Sequence, residues 1–188
     1  MEKKPHLITA SLLNAWKYLL ESEYSTMDSF LEVLNKVSHE TTKAQQDGYD
    51  FEDWCIENYE PTLNGQYQVK LSKEVTINGI EFCLCGRLDC LKQGVVYDYK
   101  HTSKYEVGKF FGSYQTSMYL ELVPEASKMV YVIGTDKPQY QIENPNEIYN
   151  IFEEQYTRDE CKPIIQVVKQ FIEWLKTMGL WETYLEKW

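Results

Sequence analysis

Asp89 and Asp98 flank a Gln93-Gly94 dipeptide, and this spacing is the first chemically informative feature of the sequence. With Gln93-Gly94 as a two-residue hairpin loop, Lys92 faces Val95, and counting outward sets Asp89 opposite Asp98. Directly opposed strand residues hold their Cβ atoms about 4.5–5.5 Å apart. Two carboxylates there repel unless a proton, a nearby base or a divalent cation intervenes. Side chains alternate along a strand, so Asp98 and Lys100 share a face while Val95, Tyr97 and Tyr99 point to the other. Two carboxylates and an ammonium on one face offer hard oxygen donors with room for water and phosphate, a set suited to Mg2+ or Mn2+. A lysine beside such an ion can orient or help deprotonate a water and stabilise charge developing on phosphate.

Further along the chain, Gln115 and Tyr119 lie four apart, hence on one face of a helix, with Phe111 a turn earlier. A Gln and a Tyr so stacked can hydrogen-bond a phosphate or a base. Upstream, Gly48-Tyr-Asp-Phe-Glu52 sets a carboxylate beside an apolar helical stripe, where a ligand reaching over a sheet would sit. Each piece alone has an ordinary reading as well. Opposed hairpin charges are commonly surface ion pairs worth about 0–1 kcal/mol, and Glu52 has Asp50, Asp53 and Glu57 around it as on a solvated face. Cys83 and Cys85 share the strand face of Asp89 and read as small packing residues.

The elements that must position these residues follow from periodicity. Thr9 or Ser11 can cap a helix through Leu20, Met27 to Val37 reads as a second helix, and Lys43 to Tyr59 as a third with Phe51, Cys55 and Tyr59 as its stripe. Tyr67 to Lys100 changes to β periodicity, with hairpin turns at Asn78-Gly79 and Gln93-Gly94. The stretch from Thr102 to Leu122 reads as helical, and Lys128 to Gly134 as a buried strand, which implies a crossover onto the same sheet. Gln139 to Ile142 is an expected edge strand, Asn144-Pro145 an expected helix start, and Pro163 the start of another helix. The reading is an α/β fold with a mixed sheet flanked by helices. It forms one domain over residues 1–188, with a core at about 43–143, N-terminal helices within 9–37 and C-terminal helices within 146–187.

Three segments together resemble a known family. Gly86-Arg-Leu-Asp89, Asp98-Tyr-Lys100 and Gln115-Thr-Ser-Met-Tyr119 look like the successive motifs of the PD-(D/E)XK nuclease superfamily. The Gln-x-x-x-Tyr element is similar to that of its RecB-like branch, which includes phage exonucleases. Gly48 to Glu52 resembles the branch's Gly-x-x-x-His element with Glu in place of His, as in lambda-exonuclease-like members, and Ile8 to Asn14 resembles its opening helix.

The resemblance implies a restriction-endonuclease-like core and a Mg2+- or Mn2+-dependent deoxyribonuclease of exonuclease type. Asp89, Asp98, Glu52 and the Tyr99 carbonyl would hold the metal, and Lys100 would serve the attacking water. Gln115 and Tyr119, with Arg87 and Lys104 as cations, would contact DNA. A homo-oligomer or a separate recombination or helicase partner is implied in turn, because the chain has no room for a motor domain. Two alternatives stay open: an endonuclease of the same fold, and an inactive nuclease-like protein that binds or inhibits a partner in a phage or mobile element. The family's usual Asp-Tyr-Lys-Thr-Gly run is here followed after Lys100 by His101-Thr-Ser, and His101 should point away from Lys100. With Cys161 the only cysteine near the C-terminus, no iron–sulfur cluster is expected.

Composition limits the remaining possibilities. The 188 residues carry 19 Lys and Arg against 29 Asp and Glu, a formal charge of −10, which opposes coating of nucleic acid or an anionic membrane by bulk charge. The acidity is uneven: residues 39–60 hold seven Asp and Glu against Lys43, whereas Gly86 to Lys109 holds five cations against three anions. Any engagement of DNA is therefore expected in a narrow, metal-neutralised cleft and to be sensitive to salt. Five cysteines without a CxxC pair predict reduced thiols and no zinc site. The absence of a signal-like start or of a long apolar run predicts a cytoplasmic protein with no membrane contact.

Overall fold

The computed structural model describes residues 4–144 and 146–188. Among them the chain runs β1 (His6–Thr9), α1 (Ala10–Glu21), α2 (Met27–Leu34), α3 (Lys43–Asn58), β2 (Gln66–Ile77), β3 (Ile80–Lys92), β4 (Val95–His101), α4 (Tyr114–Leu122), β5 (Lys128–Asp136), β6 (Tyr149–Thr157), α5 (Ile164–Thr177) and α6 (Trp181–Lys187). The six strands form one mixed sheet in the order β1-β3-β4-β5-β6, with β2 also paired to β3. The β1–β3 and β4–β5 pairs are parallel and the remainder antiparallel. Helices flank this sheet, the architecture expected of a restriction-endonuclease-like core.

Local sequence explains the meander. Asn78-Gly79 and Gln93-Gly94 all adopt positive φ, between 51° and 77°, the backbone of a type I′ turn whose twist matches that of the flanking strands. Lys92 pairs with Val95, as the two-residue loop requires. Thr9, Thr26 and Thr42 each accept a hydrogen bond from a first-turn amide and so start α1, α2 and α3.

Alternation along β5 divides the core into two layers. Met129, Tyr131 and Ile133 face a large apolar cluster that includes Leu12, Leu13 and Trp16 of α1, Phe30 of α2, Met118 of α4 and Phe171 of α5. Val130 and Val132 face a smaller one built by Phe51, Cys55 and Tyr59 at the α3 side. Gly134 seats α3, because a Cβ at this position would lie 2.3 Å from the Phe51 ring.

Several expectations are corrected. Residues 149–157 form edge strand β6 rather than part of a C-terminal helix. Apolar and polar residues in Tyr149-Asn-Ile-Phe-Glu-Glu-Gln-Tyr-Thr157 follow a period of two only weakly, which hides the strand. Pro145, the expected start of that helix, lies outside the described residues. Gln139–Gln141 is a single 3-10 turn, not an edge strand. The helix expected from Thr102 is confined to Tyr114–Leu122; the residues before it are turns held from outside, with Glu154 Oε1 accepting from Gly108 N at 2.7 Å and from the Tyr105 hydroxyl at 2.8 Å. Strand β1 was not foreseen. It has four residues, and its pairing with β3 is non-local.

Gly134→Ala should lower stability by about 1–3 kcal/mol through overpacking against Phe51. Gly48→Ala, where an added Cβ meets nothing within 4 Å in mid-α3, should leave it unchanged or raise it by up to about 1 kcal/mol. Urea unfolding followed by circular dichroism measures both.

Candidate active site

The site exists because β3 has two neighbours on one edge. β2 pairs along almost the whole of β3, so β1, at Phe82–Cys85, and β4, at Cys90–Lys92, must share the other edge. Residues 86–89 between them have no strand partner there. β1 runs parallel to β3 and β4 antiparallel, so the carboxyl ends of both strands face this gap. A crevice outside strand carboxyl ends where the strand order diverges is the usual ligand position in α/β sheets. Here it is a cleft of about 890 Å³, lined among others by Glu52, Arg87, Asp89, Asp98, Tyr99, Lys100, Gln115 and Tyr119. Of the metal, catalytic and DNA-contact residues that the resemblance implies, only Lys104 is absent from its lining. Lys104 is exposed on the loop after β4 and paired with Glu106 at 2.6 Å.

Asp89 itself opens the fork. By register it lies opposite Asp98 on β4 and Gln68 on β2, yet both ladders skip it. On the β2 side Gln68 has a φ of 54°, which breaks the pairing. On the β4 side Asp89 Oδ2 accepts the Tyr99 amide at 2.8 Å, taking the place of a ladder bond. In an extended residue the amide and carbonyl point to the same edge, so the Tyr99 carbonyl also faces the gap. The side chain of Gln68 bonds Glu52, which reaches the cleft from α3, on the opposite face of the sheet from Asp98.

Asp98 is 1% exposed and is held from two sides. Gln115 Nε2 donates to its Oδ1 at 2.5 Å, and Lys100 Nζ lies 2.5 Å from Oδ2, although Oδ2 accepts no hydrogen bond of normal geometry. Gln115 Nε2 also donates to the Tyr119 hydroxyl at 3.1 Å, which donates to the Arg87 carbonyl at 2.8 Å. Gln115 and Tyr119 thus tie α4 to both acidic strands and fix Asp98. Gly86 permits this approach: a Cβ there would lie 2.8 Å from the Tyr119 ring. His101 points away from Lys100, packing near Phe51 and Tyr149 with Nε2 3.1 Å from Asp136.

Charge in this cleft is only partly compensated. Burial raises the Asp89 carboxyl, and the Asp98 charge adds to it, bringing it to about 8. Burial likewise raises Asp98 against the pull of Lys100, and raises Glu52 against that of Arg87. Burial would lower the Lys100 ammonium, but Asp98 and Asp89 outweigh it and the net shift is upward, so Lys100 is a cation at neutral pH. No three His, Cys, Asp or Glu side chains among the described residues stand close enough to form a complete metal ligand set. The donor chemistry nonetheless fits a hard divalent cation. The donors are all oxygens, Asp98 Oδ2 is buried without a hydrogen bond, and excess carboxylate surrounds the half-buried ammonium of Lys100.

The cleft is also lined by Thr9, Ser11 and Asn14 at the start of α1, Tyr49 of α3, and Lys70 of β2, of which the sequence marks only Thr9 and Ser11, as helix caps. The Ile8 to Asn14 segment resembles the family's opening helix, yet nothing in the sequence marks Asn14 itself.

No protein-family model matches the sequence, and no curated protein matches it. Among solved structures, the protein SSO0001 is similar at a TM-score of 0.51 and 16% identity, over 90% of this chain and 74% of that one. A phage related exonuclease from Haemophilus somnus aligns at a TM-score of 0.45 and 13% identity, over 94% of this chain and 81% of that one. The first likeness concerns the fold alone. The second is too distant to carry an argument.

The raised carboxyls have a consequence for the metal-free fold. A carboxyl whose folded value is raised contributes stability below its unfolded value, near 4, and loses that contribution as pH rises through the folded value. The melting temperature in EDTA should therefore fall between pH 4 and about 8, the value reached by Asp89. Asp89→Asn should flatten this slope and raise the melting temperature at pH 8 by about 3–8 °C, at roughly 2–4 °C per kcal/mol. Differential scanning calorimetry at a series of pH values checks it.

Proposed function

We propose that the protein is a divalent-metal-dependent nuclease that hydrolyses phosphodiester bonds in DNA, acting as an exonuclease. One observation carries this reading: the fork in the sheet gathers Asp89, Asp98 and Lys100 with Glu52 in a single cleft, although Glu52 comes from the opposite face. These are the residues that the resemblance to the PD-(D/E)XK nucleases nominates, and the mixed sheet supports it at the level of fold. Asp89, Asp98, Glu52 and the Tyr99 carbonyl would hold Mg2+ or Mn2+. When bound, such an ion supplies Lewis acidity toward a phosphoryl oxygen and a water acidic enough to attack at neutral pH.

The remaining work falls to the chain. Lys100, 2.5 Å from Asp98, would serve the attacking water and offset charge developing on phosphate. Gln115 holds Asp98 in place through a charge-assisted hydrogen bond, and the Tyr119 hydroxyl anchors that arrangement to β3. Arg87 is exposed on the cleft lining, where it can meet a phosphate of the substrate. With Lys70, Arg87 and Lys100 set against Glu52, Asp89 and Asp98 on this cleft, the reading requires DNA to enter with its divalent ion.

Asp98→Ala and Lys100→Ala should each slow cleavage of end-labelled linear DNA in Mg2+ by about 10²–10³-fold or more, with circular dichroism unchanged. EDTA should abolish cleavage by the wild type. Linear duplex, linear single strands and closed circular plasmid, incubated with Mg2+ or Mn2+ and sized on gels, test the exonuclease assignment. Closed circles should remain uncut; nicked or linearised circles would make the enzyme an endonuclease. Wild-type rates in both variants would overturn the nuclease reading.

A further inference from the structure

Helix α1 begins at the cleft and leads away from it. Ser11 and Asn14 line the cleft, and Asn14 also lines a second depression of about 370 Å³ with Lys17, Tyr18, Lys109 and Phe111. Asn14, Lys17 and Tyr18 fall at helical spacings of three and four and share a face. At 1.5 Å per residue, Tyr18 stands about 10 Å beyond Ser11 along the axis. Asn14 is a rigid corner between the two cavities, because its amide donates to Ser113 Oγ at 3.2 Å and its carbonyl accepts from Tyr114 N at 2.9 Å.

The contents of this groove are unusual for a chain with a net charge of −10. Lys109 Nζ rests on Thr102 Oγ1 at 2.6 Å and on the Lys104 carbonyl at 3.3 Å, both uncharged acceptors. Lys17 is the second ammonium, 3.5 Å from Glu21, the acidic residue of the same lining. Two aromatic rings are presented to solvent, Tyr18 at 53% and Phe111 at 62% exposure. Phe111 is not exposed through looseness. The loop before it is fastened by buried Glu154, whose Oε1 accepts from Gly108 N and whose Oε2 accepts from Phe110 N at 3.3 Å. A preorganised aromatic loses little freedom on contact.

Exposed aromatic faces alternating with ammonium groups form the pattern that binds an unpaired strand: bases stack on the rings while phosphates meet the cations. A duplex, with its bases already stacked, has no use for the rings. We infer that the groove between α1 and the 102–113 loop is the track of a single unpaired nucleic-acid strand continuing from the cleft, with Tyr18 and Phe111 as its stacking residues. This assignment rests on the nuclease reading of the cleft for its direction, and its occupant is set by the groove's own charge and continuity with the cleft.

Binding separates the two. A fluorescein-labelled dT12 strand and a blunt twelve-base-pair duplex are titrated in Ca2+ with the Asp98→Asn protein, so that a divalent ion can neutralise the cleft while cleavage is disabled, and anisotropy is followed. Adding Tyr18→Ala with Phe111→Ala should weaken single-strand binding by at least tenfold and duplex binding by less than about twofold. Adding Lys17→Gln with Lys109→Gln should reduce the single-strand salt slope by about 1.4, for two lost phosphate contacts. All four positions are at the surface or its margin, and unchanged melting temperatures confirm intact folds. Failure of the starting protein to bind dT12, or an equal loss for strand and duplex, would overturn the track and leave the rings as a surface for another protein. If the wild type cuts no DNA in Mg2+ or Mn2+ while the aromatic variants still lose the strand, the nuclease reading fails and the strand track stands.

Discussion

Burying two carboxyls beside one ammonium is the constraint on which the rest of this structure depends. Each charge of Asp98, Asp89 and Lys100 is penalised by removal from water, and Lys100 can offset only part of the excess negative charge. The surroundings supply what the trio lacks. The Gln115 amide and the Tyr99 backbone amide each donate to a carboxylate oxygen, and they come from α4 and β4 respectively. Their placement depends on helix packing and strand splay, so the electrostatics of three side chains governs the geometry of several elements.

The splay is a trade between secondary structure and chemistry. Continuing the β3–β4 ladder past Cys90 and Tyr97 would have paired more backbone and closed the gap. Instead a side chain takes one backbone amide, and an αL glutamine interrupts the opposite ladder. Departures from regular pairing of this kind accumulate where a protein keeps space for a ligand. Two layers of helices allow it. The large cluster on one face holds the sheet while α3 brings Glu52 over the other.

Much of this was legible because it is local. The Gln93-Gly94 turn sets the register of Cys90–Lys92 against Val95–Tyr97, which brings Asp89 and Asp98 together just beyond the last ladder pair, and alternation puts Lys100 on the face of Asp98. Gln115 and Tyr119 were legible as a pair, since helical spacing is local too. Their engagement with Asp98 and Arg87 was not, because it depends on how closely α4 approaches β3 at Gly86. Strand β1 and the corner at Asn14 were hidden for the same reason: their partners lie far away in sequence, at 82–85 and at 113–114. β6 was missed for another reason. Its Glu-Glu pair suggests a solvated helix, whereas Glu154 is buried as the anchor of a loop.

The fork also has a history in time. Its acidic wall lies within the single hairpin of residues 80–101, whose loop of two residues closes at little entropic cost. Its other wall is β1, whose pairing with β3 spans more than seventy residues and whose Leu7 is held by the carbonyl of Trp188 and the hydroxyl of Tyr184. Contacts of such long sequence separation are slow to form, because the entropy of closing the loop must be met first. The chemistry-bearing hairpin can thus assemble as a local unit before the opposing wall exists, and the cavity between them takes shape only when distant parts of the chain meet.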